Sequence, residues 1–295
     1  MYNSLEEICR EAEKNGKEFW QVIRDRECEE RGIRPDQSFA EMLRLYEAMR
    51  DSDRNYDGSL MADSGLVGGL GKKLGDRRRE GRLLAGSFVG AVMERALKIS
   101  ESNACMRRIV ACPTAGSCGV VPAAFLTMQE NGGYSDEEMV RALYVAAGIG
   151  GVIAGRASLS GAAGGCQAEI GSASAMAAGG LVFLMGGTPR QSAHGAALAL
   201  KSLLGLVCDP VAGLVQIPCV KRNVIGAVNA VTSADMAMAE IESVIPPDEV
   251  IDAMRTVGAA MSADLRETGV GGLAGTPTGV MLKERLTASG PQGSL

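Results

Sequence analysis

The sequence contains little of what several classes of protein require. Only 4% of its 295 residues are aromatic, so small side chains have to fill much of the core. No uninterrupted apolar run reaches the roughly 18 residues of a membrane span, and the acidic first residues lack the apolar stretch of a secretory signal. We therefore expect a cytoplasmic protein that does not enter the membrane.

The sequence also lacks a net positive charge and strand patterns. The net charge of −5 argues against a surface that binds nucleic acid. No convincing alternation of apolar and polar side chains appears, whereas apolar positions recur at the helical period along much of the chain. With 39 glycines and abundant alanine, the sequence predicts an all-α fold, a single helical domain of closely packed Gly/Ala-rich helices.

Eight cysteines are present without the secretory context that disulfides need, so we expect thiols or metal ligands. Three of them, Cys166, Cys208 and Cys219, each lie where a Gly- or Pro-rich turn meets a helical run. Peptide N–H groups at such turns and at helix N-termini stabilise a thiolate, the form that binds metal. Their spacing is neither that of zinc sites nor that of ferredoxins, and buried thiols are common in cores. The spacing alone therefore leaves a metal site and ordinary packing open.

Residues 1–50 are charged and predict helices at about 5–14, 17–31 and 39–50. Ser4 with Glu7 and Ser38 with Glu41 have the spacing of capping boxes. Residues 51–76 predict a long loop, in which Lys72 and Lys73 are expected to be solvated. This loop lacks the Walker pattern. Further helices are predicted at about 84–100, 136–154, 167–186, 188–206, 219–243 and 248–266.

The turn Cys112-Pro-Thr-Ala-Gly-Ser-Cys118 precedes another helix, with Pro122 in its first turn. Its peptide N–H groups and the hydroxyls of Thr114 and Ser117 suit a carboxylate, although an ordinary helix cap explains the same residues.

Five passages carry long and unusual motifs: Gly165-Cys-Gln-Ala-Glu-Ile-Gly171, Cys208-Asp-Pro-Val-Ala-Gly213, Pro218-Cys-Val-Lys-Arg-Asn223, Ala111–Pro122 and Leu265–Ala274. They resemble the iron–sulfur-dependent L-serine dehydratases, and in particular the separate alpha subunit of the two-subunit bacterial type, and the likeness extends from about residue 60 to 283. The resemblance suggests that the 51–76 loop lies near the active site, with Lys72 or Lys73 available for a carboxylate. The resemblance implies a catalytic domain at 56–283. Residues 1–55 would pack on that domain or on a partner, and a frayed tail would occupy 284–295.

The resemblance further implies a [4Fe-4S] cluster held at loop–helix junctions by Cys166, Cys208 and Cys219. The fourth iron would be open and would act as a Lewis acid on the substrate hydroxyl, in the deamination of L-serine to pyruvate and ammonia. This reaction belongs to amino-acid catabolism. Cys112 and Cys118 do not occupy the family's ligand positions, and Cys105 has no assigned role.

The matched passages also contain hydroxyl and guanidinium groups that are expected to bind the substrate: Thr114, Ser117, Ser158, Ser160 and Arg266. Arg266 has Asp264 and Glu267 as alternative partners. The catalytic base is not identified. The sole histidine, His194, lies outside the matched passages, so a beta subunit is expected to supply the base, with Glu169 or Asp209 as the second choice.

Two alternatives to the serine dehydratase remain from the sequence. One is a related iron–sulfur desulfidase that acts on L-cysteine, and the other is a non-enzymatic subunit that binds a cluster or zinc. A pyridoxal phosphate route has no support beyond generic glycine loops and lysines.

Overall fold

The computed structural model describes residues 2–288, and these fold into α-helices joined by turns and short 3₁₀ segments. Within that range the structure contains two isolated β-bridges and no β-strand, which confirms the all-α prediction. The helices are α1 (Leu5–Asn15), α2 (Phe19–Arg31), α3 (Pro35–Arg54), α4 (Leu70–Arg79), α5 (Gly86–Ala104), α6 (Val120–Gly132), α7 (Asp136–Arg156), α8 (Gly161–Gly164), α9 (Ser172–Leu184), α10 (Pro189–Lys201), α11 (Cys219–Met238), α12 (Pro247–Ala260) and α13 (Pro277–Ala288).

Helix α9 lies at the centre of the molecule. All of its residues except Phe183 are buried, and it packs against α6, α7, α10 and α11. A Cβ atom at Gly179 would lie 2.1 Å from Ile149 Cδ1, and one at Gly180 would lie 2.3 Å from Phe125 Cζ. The glycines therefore let the neighbouring helices approach α9 more closely than any other residue would allow.

The N-terminal helices share the core of the domain. Leu5, Ile8, Phe19 and Trp20 are buried in the same apolar cluster as the side chains of α9. Helix α1 begins as its sequence predicts, because the Ser4 hydroxyl accepts a 3.0 Å hydrogen bond from the Glu7 amide. Residues 2–54 thus form a layer of the helical domain.

The predicted cap at Ser38 is wrong. Helix α3 begins earlier, at Pro35, because proline suits the first helical position and the Gln37 side chain accepts a 3.1 Å hydrogen bond from the Arg34 amide. Ser38 therefore lies inside the helix. It is buried, and its hydroxyl bonds to Glu27 and Tyr144.

The predicted loop at 51–76 is shorter than expected, because helix α4 begins at Leu70. The buried carboxylate of Glu101 accepts hydrogen bonds from the amides of Leu70 (2.9 Å) and Gly71 (3.1 Å). This cap comes from a residue 31 positions away, so no local pattern reveals it.

Several other helices end before their predicted limits. The helix expected at 219–243 ends at Met238, the one at 248–266 ends at Ala260, and the one at 188–206 ends at Lys201. The run predicted at 167–186 begins with a π-helical turn, Gln167–Gly171, before α9. Helix α13 includes 284–288 of the expected tail, while 289–295 lie outside the described residues.

Within residues 2–288, α7 is the one helix that is long and apolar enough to cross a membrane. Two thirds of its most apolar window (67%) is buried inside the protein, as expected for a core helix.

Candidate functional site

The three cysteines singled out by the sequence lie at junctions between loops and helices. Cys166 directly precedes the π-helical turn, and Cys219 is the first residue of α11. Cys208 lies in the loop after α10, where its amide donates to the Leu265 carbonyl (2.8 Å) and its carbonyl accepts from the Glu267 amide (2.7 Å). All three thiols are buried. The fold thus brings the Cys208 loop, the 265–267 loop, the π-helical turn and the start of α11 to one region.

The three thiols lie within electrostatic reach of one another. Burial raises the pKa of Cys166 to about 12, and the charges of Glu169 and Cys219 act in the same direction. Burial also raises the pKa of Cys219, to about 11, against a smaller lowering by peptide N–H at the start of α11. The pKa of Cys208 is raised by burial and by the charges of Cys166, Glu169, Glu267 and Cys219. Burial therefore disfavours the thiolate form more strongly than the peptide N–H groups of the turns favour it. A metal that binds here would have to displace the thiol protons.

No three His, Cys, Asp or Glu side chains of residues 2–288 are arranged to hold a single metal ion. An iron–sulfur cluster makes a different demand, because each cysteine binds a different iron of the cluster. Three buried thiols whose charges raise one another's pKa are compatible with that demand. Gly161 keeps space beside one of them, since a Cβ there would lie 2.9 Å from the Cys208 sulfur.

Glu169 lies in the π-helical turn, a type of local distortion that is frequent at functional sites. Its Oε1 accepts a 2.7 Å hydrogen bond from the Thr114 hydroxyl, and its Oε2 lies 3.9 Å from the Cys208 sulfur. Burial raises the pKa of Glu169, and the nearby charge of Glu267 adds to this, while the Thr114 bond opposes it. The carboxyl group is therefore easier to protonate than an ordinary glutamate.

The turn that contains Thr114 is tied to α11 by Asn223, which is fully buried. The Asn223 Nδ2 donates to the Gly116 carbonyl (2.7 Å), and its Oδ1 accepts from the Gly119 amide (2.8 Å). Thr114 thereby reaches Glu169, whereas the buried Ser117 hydroxyl turns back towards Thr114 (3.1 Å between the oxygens). The sequence singled out this turn but gave no reason to expect that Asn223 holds it.

Two further serines lie in the loop between α7 and α8. The Ser158 hydroxyl accepts a 3.1 Å hydrogen bond from the Ser160 amide, and Ser160 is exposed at the start of α8. Gly161, the next residue, approaches both Cys208 and Glu169. The loop thus borders the cysteine region, and within residues 2–288 neither serine hydroxyl forms a hydrogen bond with the three cysteines.

Arg266 pairs through its backbone with Cys208 as an isolated β-bridge. Its Nε is buried without a hydrogen-bond partner in the described part of the chain, and neither Asp264 nor Glu267 forms an ion pair with it there.

The Asp209 carboxylate, by contrast, is buried and held by neighbouring groups. Its Oδ2 accepts a hydrogen bond from the Leu273 amide (2.8 Å). Its Oδ1 forms an ion pair with Arg222 Nη1 at 2.8 Å, although the N–H of that nitrogen donates its hydrogen bond to the Val207 carbonyl. Asp209 therefore serves the structure of this loop.

Other residues considered from the sequence lie elsewhere. The His194 Nδ1 accepts a 3.3 Å hydrogen bond from the Ser243 amide, and His194 lines a separate cavity with Cys9 and Arg190. Lys72 forms an exposed ion pair with Asp76 (2.7 Å).

Comparison with known proteins identifies the family. Residues 14–274 match the serine dehydratase alpha chain family. The L-serine dehydratase alpha chain of Peptoniphilus asaccharolyticus is 38% identical over 291 residues, which cover 98% of this chain and 100% of that protein. A probable L-serine dehydratase alpha chain of Bacillus subtilis is 53% identical over 225 residues, or 76% of this chain and 75% of that protein.

A longer relative matches in part. The L-serine dehydratase of Mycobacterium bovis is 47% identical over 184 residues, which are 61% of this chain but 40% of that protein. Because the family match covers most of the chain and includes all three cysteines, the chain belongs to the serine dehydratase alpha chain family.

Proposed function

We propose that the chain is the iron–sulfur subunit of an L-serine dehydratase, a cytoplasmic lyase that converts L-serine to pyruvate and ammonia. The observation that carries the proposal is the match, over almost the full length of both chains, to a protein named as an L-serine dehydratase alpha chain. The buried trio of thiols beside a carboxyl group supports it, since the proposed reaction uses both a metal centre and groups that hold an amino acid.

In the proposed reaction the Cα–H and Cβ–O bonds of L-serine break, water leaves, and 2-aminoacrylate remains. Its imine tautomer then takes up water to give pyruvate and ammonia. Cys166, Cys208 and Cys219 would hold a [4Fe-4S] cluster, and Arg222 would favour the thiolate of Cys166. When bound, such a cluster supplies an open iron that acts as a Lewis acid towards the substrate hydroxyl.

Thr114, Ser117, Ser158, Ser160 and Arg266 remain the proposed substrate-binding residues. Arg266 has the strongest support, because its buried Nε has no hydrogen-bond partner within residues 2–288, and a guanidinium binds a carboxylate with two parallel bonds. Thr114 also donates a hydrogen bond to Glu169, which would fix that carboxyl group beside the substrate.

Replacing Arg266 by Lys tests this assignment. The substitution keeps the charge but removes the planar fork, so we expect KM for L-serine to rise about tenfold with a smaller change in kcat. An unchanged KM would remove Arg266 from the site.

A beta subunit is proposed to supply the catalytic base. His194 is the sole histidine and lines a cavity to which none of Cys166, Cys208 and Cys219 contributes, and the long relative from M. bovis carries a large additional part in one chain. Glu169 is the second choice for the base, since its pKa is raised by burial.

The test measures pyruvate release from L-serine by anaerobically purified chain of confirmed iron content, with and without the product of a neighbouring beta-chain gene. Sulfide release from L-cysteine is measured in parallel. We expect pyruvate from the two-chain complex and little from the isolated chain. Full activity of the isolated chain would refute the need for a partner, and preferential turnover of L-cysteine would refute the serine assignment.

A further inference from the structure

Arg222 lies on the first turn of α11, which begins with Cys219, and its side chain reaches the loop that carries Cys208. The Arg222 Nη1 donates a 2.7 Å hydrogen bond to the Val207 carbonyl and lies 2.8 Å from Asp209 Oδ1. Val207 and Asp209 are the two sequence neighbours of Cys208. One guanidinium therefore contacts the residues on both sides of Cys208 and links them to the helix that begins with Cys219.

The segment that carries Cys166 is fixed to the same loop by the next residue, Gln167. The Gln167 amide donates to the Leu206 carbonyl (2.9 Å), and the Gln167 Oε1 accepts from the Gly205 amide (2.8 Å). Successive peptide groups of the loop are thus bound first by Gln167 and then by Arg222. The loop that carries Cys208 is therefore tied to each of the other two cysteine segments, and Arg222 makes the tie to α11.

The charge of Arg222 also acts on the other two thiols. Burial raises the pKa of Cys166 and of Cys219, and the positive charge of Arg222 opposes that rise at both thiols. The Arg222 side chain is only 16% exposed, so the solvent screens this charge less than it screens a charge at the surface. The guanidinium thus holds the backbone beside one cysteine and places a positive charge close to the other two.

The contacts of Arg222 extend to the loop that carries Arg266. The Asp209 Oδ2, on the same carboxylate that pairs with Arg222, accepts a 2.8 Å hydrogen bond from the Leu273 amide. A Cβ atom at Gly272 would lie 2.5 Å from that oxygen, so this loop packs directly on the carboxylate. A displacement of Arg222 would therefore reach, through Asp209, the loop that contains the proposed substrate-binding arginine.

We propose that Arg222 is a positioning residue that holds the three cysteine segments together for the cluster and makes the bound cluster easier to reduce. The inference rests on the proposed function, since it takes the three thiols to hold a [4Fe-4S] cluster. A lysine could not replace the arginine fully, because the planar guanidinium directs several N–H groups at once whereas an ammonium is a point charge. The reduced cluster carries one more negative charge, so a nearby positive charge stabilises it.

Three measurements on the full-length chain, purified without oxygen, test the proposal. They are the rate at which a fixed excess of chelator removes iron, the midpoint potential of the cluster at an electrode, and hydrogen exchange of peptides that contain Cys208 or Leu273. The proteins are wild type, Arg222→Gln, Arg222→Lys and the double variant Arg222→Gln/Asp209→Asn. The double variant removes both charges of the pair, so the test remains valid if a buried Asp209 without its partner prevents folding.

The matched control is Lys221→Gln. Lys221 is the preceding residue on α11 and is exposed, so this variant loses the same charge at almost the same place in the chain.

We expect Arg222→Gln to lose iron about tenfold faster than wild type, because groups that hold metal ligands in place affect metal affinity to that extent. The equilibrium constant for one-electron reduction should fall about tenfold, which lowers the midpoint potential by about 59 mV. Arg222→Lys should keep most of the potential but still lose iron faster than wild type. The double variant should lose iron as quickly as Arg222→Gln with a smaller shift of potential, because both charges are gone.

Lys221→Gln should match wild type in both measurements. Iron release and potential of Arg222→Gln equal to those of Lys221→Gln would overturn the proposal, and so would full recovery of iron retention in Arg222→Lys. If wild type contains no cluster, the proposed function fails instead, and hydrogen exchange decides the positioning role. The Cys208 and Leu273 peptides should then exchange about tenfold faster in Arg222→Gln than in Lys221→Gln, and equal rates would refute that role.

Discussion

Replacing Asn223 by Ala should destabilise the protein and loosen the substrate side of the site together. The Asn223 side chain is fully buried and bridges the 112–118 turn to α11. Its loss leaves the Gly119 amide unpaired in the interior and the Gly116 carbonyl unpaired in a half-buried position.

The magnitude follows from those two groups. A buried unpaired backbone group costs about 1–3 kcal/mol, and the half-buried carbonyl falls at the low end of that range because water can reach it. We therefore expect the free energy of unfolding to fall by about 2–3 kcal/mol. Because Thr114 lies in the released turn, KM for L-serine should rise as well.

Urea denaturation followed by helical circular dichroism measures the first effect, and steady-state kinetics measures the second. The control is Asn131→Ala, since Asn131 is exposed and its side chain donates only to the Thr127 carbonyl one turn earlier (2.9 Å). That change should cost less than about 0.5 kcal/mol. A loss for Asn223→Ala as small as that of the control would refute the bridging role.

Three further predictions concern charge, space and oxygen. Burial raises the pKa of Asp136, but hydrogen bonds from Gln129 and Arg50 outweigh it, so the pKa lies below its usual range. The stability that Asp136 contributes is then complete above the usual pKa of an aspartate, about 4, and is lost as the pH falls through the lowered pKa. Asp136→Asn should therefore cost about 0.5–1 kcal/mol at pH 7 and progressively less as the pH falls below about 4. Gly161→Ala should retain less iron than wild type, because its new methyl would crowd Cys208. With three cysteine ligands the proposed cluster has one open iron, so activity should decay in air without reductant.

Each of these has a contrary outcome. A pH-independent cost of Asp136→Asn would show that the charge is not the cause. Gly155→Ala is the control for space, since a Cβ there meets no atom within 4 Å, and equal iron in both alanine variants would contradict the crowding. Activity that survives hours in air would argue against an open iron.

Sequence reasoning recovered features that depend on local pattern. The helical periodicity predicts the all-α fold, and Ser4 caps α1 as its spacing with Glu7 indicates. Gly-rich stretches predict close helix packing because only the missing Cβ allows it, as at Gly179. The region containing the three cysteines was found through motifs, since their separations along the chain say nothing of distance in space.

What the sequence did not reveal depends on contacts between distant residues. Glu101 caps α4 from the neighbouring helix, and Asn223 holds a turn more than 100 residues away. Glu267 appeared as a possible ion-pair partner of Arg266, whereas its carboxylate faces Gly161 and Glu169. The left-handed backbone that turns it there has no local signal, because glutamate rarely adopts that conformation.

The iron content of cysteine variants tests the central proposal most directly. Wild type, Cys166→Ala, Cys208→Ala, Cys219→Ala and the control Cys105→Ala are purified without oxygen, and iron per chain is measured with the absorption near 400 nm. Wild type and the Cys105 variant should contain about four irons per chain with a broad absorption band, as expected for a [4Fe-4S] cluster held by thiolates. The other three variants should lose both signals, and full iron content in Cys208→Ala would contradict the account.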